Sequence, residues 1–251
     1  VAAPALLDNP RVAKTSLARQ TAGLPPALHY YVVYDDVGAP EGLLVEEFLL
    51  AADHSSAGLV SGGWTRSEGR WHEASATSRR LRVDAALRKR VTSVGRSAAA
   101  ALYRDLCGED LPDEGALREY FGTPPAPPPS PLRLNDSGPR PGFRETRVYR
   151  ILFAGELSPD GLAALSEAWQ MPITGDPADP ETRILGTVRR QVSGDAFRWD
   201  LLRVAAGAAW ALDVACDLLG ERDEAVGVLL HGLTTQVRRQ GMVPVTVDRF
   251  R

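Results

Sequence analysis

Apolar positions first gather into a continuous run at 29–36, HYYVVYDD, which is β-branched and aromatic, ends in two acids and predicts a strand. The turn-forming GAPEG (38–42) and the apolar LLVEEFLLA (43–51) follow, so the two runs read as a hairpin. GLVSGGWTRS and RWHEASA, separated by Glu68-Gly69, predict a second hairpin. The period then changes. Asp84 is a suitable N-cap, Gly108 a suitable terminator, and Leu87, Val91, Val94, Ala98, Ala101 and Leu102 fall on one stripe at helical spacing. The expectation is one amphipathic helix over 85–107, followed by a short helix near 113–121.

The second half opens with a strand at RVYRILFAG (147–155). Ser158 and Pro159 then mark a helix start, and DGLAALSEAW carries the helix to Trp169. TRILGTVRR (182–190) predicts another strand. Two longer helices are expected, about 196–219 and 222–240, ended by Gly220 and Gly241. VPVTVDRF (243–250) returns as a strand, which makes the order β-α-β-α-α-β.

Between the halves lies TPPAPPPSPLRLNDSGPRPG (123–142), where proline removes amide donors and favours polyproline II. The chain is therefore expected to be α+β, with two small domains, each a short antiparallel or mixed sheet packed by helices, joined by a Pro-rich linker. The boundaries are a flexible arm at 1–26, an N-terminal domain at 27–122, the linker at 123–142, and a C-terminal domain with a two-helix hairpin at 143–251.

Composition narrows the function classes. Of 251 residues, 44% are hydrophobic and 24% charged, which is ordinary for a globular chain. The net charge of −3 argues against a general nucleic-acid binder. Among 29 basic residues only Lys14 and Lys89 are lysine, a skew that suggests a high-GC coding sequence and discounts arguments from arginine choice. Cys107 and Cys216 form neither a disulfide framework nor a zinc pattern. No run is long and apolar enough for a membrane span, and VAAPALLDNP lacks a signal peptide's basic flank. The expectation is a bacterial cytoplasmic protein with no membrane association.

The phosphate-wrapping, dinucleotide, zinc-protease and nucleophile-elbow motifs are all absent from the sequence, and no cofactor is expected. Weaker constellations remain. Asp35, Asp36, Glu46 and Glu47 could converge beside the first hairpin turn around a hard cation, or simply be solvated. Asp53-His54-Ser55 holds triad residue types, but neighbours in sequence suit a loop better. Trp64, Trp71 and His72 are either a cross-strand aromatic pairing or an exposed binding face. AAGAAWAL (205–212), on the expected helix 196–219, offers a packing surface or a homodimer seam.

The sharpest pattern is SRRLRVDAALRKRVTSVGR (78–96), with seven cations against Asp84. Arg88, Lys89, Arg96 and Arg104 would line one face of the 85–107 helix, extended by Arg79, Arg80 and Arg82. That face is either the solvated side of an ordinary helix or a dock for phosphate or an acidic protein. Together these readings favour a non-catalytic adaptor or regulatory accessory protein with a protein partner. The alternatives are an enzyme with its site at the domain junction, and a nucleic-acid binder using the basic helix.

Overall fold

A computed structural model describes residues 28–123, 138–205 and 209–251. Within them are two antiparallel five-stranded sheets and six helices, an α+β architecture.

The first sheet contains β1 (His29–Tyr34), β2 (Pro40–Leu50), β3 (Ser56–Thr65), β4 (Trp71–Glu73) and β5 (Val91–Val94), in the order β4-β3-β2-β1-β5. The first hairpin forms as the sequence predicts, with Val32 opposite Leu43. Its turn is tied by Asp35, whose carboxylate accepts from the amides of Val37 and Ala39. Both faces of this sheet are covered. Tyr30, Val32, Leu43, Val45 and Trp64 pack under α3 (Arg96–Cys107) and α4 (Glu114–Arg118). Tyr31 and Leu44 face the other way, towards α1 (Ser75–Val83) and the second sheet.

Two expectations fail here. The segment RWHEASA (70–76) is not one strand: β4 stops at Glu73 and α1 begins at Ser75. The single helix over 85–107 is also replaced, by α2 (Ala85–Lys89), β5 and α3. Its predicted ends are real, since Asp84 accepts from the amides of Ala86 and Leu87, and Gly108 is left-handed at φ +80°. Between them Val91-Thr92-Ser93-Val94 is rich in β-branched residues, and β1 has an open edge for it to pair with.

The second sheet contains β6 (Glu145–Ala154), β7 (Ile184–Val192), β8 (Asp195–Ala205), β9 (Ala209–Leu218) and β10 (Val243–Arg249), in the order β10-β6-β9-β8-β7. Helix α5 (Pro159–Trp169) is capped by Ser158 as expected. Helix α6 (Glu224–Arg238) is the predicted 222–240 helix.

The expected helix over 196–219, and with it the two-helix hairpin, is instead the antiparallel pair β8–β9. Phe197, Trp199 and Leu201, then Trp210, Leu212, Val214, Cys216 and Leu218, alternate strictly and point into one core with Tyr149, Ile151 and Phe153. The helical homodimer seam therefore has no helix to carry it. Of the expected linker, 124–137 lies outside the described residues, as does the N-terminal arm.

Helix α6 is buried on two sides. Val226, Leu230, Leu233 and Val237 enter the core of the second sheet. Thr234 and Arg238 form another buried stripe, with the more exposed His231 one turn before them, and the Arg238 Nε donates to the Tyr31 hydroxyl of β1 at 3.2 Å. The 51–55 loop and the start of β3 seat on the second sheet, since the Tyr149 hydroxyl donates to the Asp53 carbonyl at 2.8 Å and the Val247 amide to the Ser56 hydroxyl at 2.8 Å.

Candidate functional site

The residues singled out in the sequence do not form one surface. Trp64 and Trp71 lie directly opposite each other on β3 and β4 and are 3% and 8% exposed. Both rings pack on Tyr103 of α3, at 5.1 and 5.8 Å between centroids. They are core, so the exposed aromatic face is not there. His72 pairs with Glu68 at 3.0 Å.

The basic row is scattered. Arg88 donates to the carbonyls of Leu81 and Arg82, and Arg96 to the Tyr30 hydroxyl at 2.6 Å and the Pro112 carbonyl at 2.7 Å. Arg104 is paired with Asp110. Lys89 alone of the four is exposed with no polar partner among the described residues. Arg88 and Arg96 thus tie parts of the fold together, Arg104 makes an exposed ion pair, and β5 separates the first pair from the second.

The acidic group does not converge either. Adjacent strand residues point to opposite faces, so Glu46 meets Arg82 on one side and Glu47 meets Arg118 on the other. Asp36 pairs with Arg90 at 2.7 Å. Among the described residues no group of three or more histidine, cysteine or acidic side chains is placed to hold a metal. Asp53 accepts from the Ser55 hydroxyl at 2.6 Å, closing a local turn, and His54 reaches Asp223 at 3.4 Å.

Two features escaped the sequence. The first is a buried polar layer where the first sheet meets α1 and α6. Glu46 has no exposed side-chain surface and accepts from Arg82 twice and from the Ser78 hydroxyl. His29 stands across from Glu46 in the sheet. Its ring is held neutral, well below the usual histidine range, by burial first and then by the charges of Arg238 and its neighbours. His231 is lowered by burial and by Arg238. Beside this layer lies a cavity of about 50 Å³ lined by His29, Phe48, His54, Leu230, His231 and Val247 among others. The usable signal was a second stripe on α6, Gly227, His231, Thr234 and Arg238 at helical spacing. A Cβ at Gly227 would come within 2.9 Å of the His54 ring, so a larger residue there would displace that ring.

The second feature is the free edge of β7. The β7–β8 turn is the two-residue Ser193-Gly194, with φ of +54° and +97°. Such a turn makes Val192 and Asp195 a hydrogen-bonded pair. It follows that Thr187, Arg189 and Gln191 aim their backbone groups away from β8. The 172–175 segment covers the edge from Leu185 to Thr187: Thr174 donates to the Leu185 carbonyl, Ile173 bridges Gly186, and the Pro172 carbonyl lies against the strand there. Beside the rest runs an open groove of about 390 Å³ lined by Trp169, Pro172, Val188 and Arg190. Arg189, Arg190 and Gln191 are exposed, and Arg189 has no polar partner among the described residues.

Compared with known proteins, the chain matches no family model, and no curated protein or solved structure is significantly similar to it. No helix among the described residues is long and apolar enough to cross a membrane.

Proposed function

We propose that the chain is a non-catalytic adaptor or accessory module that binds an extended acidic segment of a protein partner along β7. The observation that carries this reading is the pair of outward backbone positions Arg189 and Gln191, flanked by the Arg189 and Arg190 side chains. An added strand would satisfy those groups through main-chain hydrogen bonds, and alternate side chains would supply selectivity. The charges choose the partner. A second copy would bring the same arginines to the edge, which opposes self-pairing. Aspartate or glutamate at alternate positions would meet Arg189, and an apolar residue between them would enter the groove beside Trp169 and Pro172.

The test uses a synthetic peptide alternating glutamate with valine, its lysine counterpart, and fluorescence anisotropy on the full chain. The acidic peptide should bind and the lysine peptide should not. Gln191→Pro removes an outward amide without touching the bonds to β8, and Arg189→Glu reverses the charge. Each should weaken binding about tenfold or more, the scale of a lost charge-assisted hydrogen bond. Equal binding of both peptides, or indifference to both substitutions, would remove the reading.

A further inference from the structure

The segment between α5 and β7 lies along the β7 edge itself. Met171, 2% exposed, ties its start to the core, and the buried Leu185 side chain ties its end. Between them the chain runs antiparallel to β7, with Ile173 opposite Gly186. The amides of Thr174 and Gly175 both donate to the Leu185 carbonyl, at 2.9 and 3.3 Å. The approach is close because both sides are bare. A Cβ on Gly186 would come within 2.7 Å of the Pro172 carbonyl oxygen, and one on Gly175 within 2.3 Å of the Ile184 carbonyl oxygen. A side chain at either position would force segment and strand apart.

Little apolar surface holds this cover down. From Pro172 to Ile184 no residue is buried, and only Gly175 and Thr182 are half-buried. The remaining hold is polar. Arg203 of β8, laid over the Trp210 ring, donates to the carbonyls of Pro177 and Asp179 at 2.8 and 2.5 Å. Asp176 and Asp179 brace the turns on either side through the amides of Ala178 and Glu181. A segment held by a few solvent-exposed hydrogen bonds opens far more readily than the sheet beneath it. It is also acidic: Asp176, Asp179 and Glu181 stand between Pro172 and Thr182 with no basic residue among them.

From this arrangement we infer that the 172–182 segment is an autoinhibitory strap: it occupies β7 from Leu185 to Thr187 in the free chain, and an acidic partner strand long enough to pair from Leu185 to Gln191 displaces it. The inference rests on the β7 reading and adds its regulation. Length is the reason for displacement. The open outward positions, Arg189 and Gln191, offer an added strand at most about four main-chain hydrogen bonds, little against the freedom an extended peptide gives up on binding. Opening the strap adds Thr187 and the Leu185 carbonyl to the row. A partner that stops at Val188 leaves the strap in place. A longer one gains the covered positions only by opening it, so its apparent affinity is set by how firmly Arg203 holds the strap.

The test is amide hydrogen exchange on the full chain, read residue by residue by NMR, with two synthetic peptides that alternate glutamate and valine. One has about five residues, to span Val188 to Val192, and the other about nine, to span all of β7. In the free chain the Thr174 and Gly175 amides should be protected. The long peptide should cut that protection at least about fivefold, and the short one should leave it unchanged. Arg203→Met should tighten the long peptide about tenfold without affecting the short one. If neither peptide binds, the β7 reading falls and the strap falls with it. If the long peptide binds while Thr174 and Gly175 stay protected, the strap alone is overturned and the edge site stands. Free exchange of both amides before any peptide is added would also overturn the strap, and neither of these wild-type results needs a variant to fold.

Discussion

Glu46 and Arg82 are joined by two parallel hydrogen bonds, Nη1 to Oε1 at 2.9 Å and Nη2 to Oε2 at 3.0 Å, inside the layer between the sheets. The Ser78 hydroxyl donates a third bond to the same carboxylate at 2.5 Å. Removing only the cation strands a fully buried charge. Arg82→Met should therefore cost about 3–5 kcal/mol, whereas replacing both partners by leucine should cost much less. Urea unfolding of the single and double variants checks this. A double variant no more stable than the single one would show that the pair's packing, rather than its charge, matters.

Acid should loosen the same layer. His29 and His231 are lowered from 6.5 by burial and by Arg238, so in the folded chain they stay neutral where unfolded ones take up protons. Their contribution to stability is present above pH about 6.5 and is lost as the pH falls below it, at up to about 1.4 kcal/mol per unit for the buried His29 ring and less for His231, which is exposed to solvent. Melting temperatures measured from pH 7.5 to 5 in carboxylate-free buffer should fall, and less steeply for His29→Phe. A flat profile in that window would contradict the burial of the neutral His29 ring.

The two thiols should differ sharply. Cys107 is exposed, while burial pushes the Cys216 thiol up to about 12 in the core of the second sheet. The thiolate is the reactive form. An aromatic disulfide reagent at pH 8 should label one cysteine in the native chain and the second only in denaturant. Rapid labelling of both without denaturant would place Cys216 outside that core.

Substitutions along the basic row should separate surface from structure. Lys89→Glu should change stability by no more than about 0.5 kcal/mol, as is usual for an exposed side chain. Arg96→Glu breaks the bonds to Tyr30 and Pro112 and should cost about 1.5–3 kcal/mol. Arg104→Glu, losing only the exposed pair with Asp110, should fall between 0 and about 1 kcal/mol. Differential scanning calorimetry gives the order directly.

Much of the first sheet was legible because its signals are short-range. The run of Tyr30, Tyr31, Val32 and Val33 and the Asp35 turn both act within a few residues of themselves. The Ser158-Pro159 cap is equally local. The misreadings arose where two periods coexist. In β9, Ala211 and Ala215 fill the gaps between Trp210, Leu212, Val214 and Cys216, so an alternating strand resembles a continuous apolar run. Alanine's preference for helix is overridden because β9 is bonded on both sides, to β6 and to β8.

The candidate sites were less visible, since each is made by residues with unremarkable neighbours. The Trp64–Trp71 pairing was foreseen, but its burial depended on Tyr103 arriving from α3. Arg82 read as one more exposed cation until Glu46 was found beneath it.

By itself, the sequence determined where chains turn, cap and present an apolar stripe, because those preferences are settled by steric and hydrogen-bonding terms among near neighbours. Only the tertiary structure decided which cations became structural, that 85–107 breaks around a strand, and that His29, Glu46 and Arg238 share one layer. The hydrogen bond from Arg238 to Tyr31 spans 207 positions. No local pattern encodes such a meeting, since it follows from burying two sheets and one helix against each other.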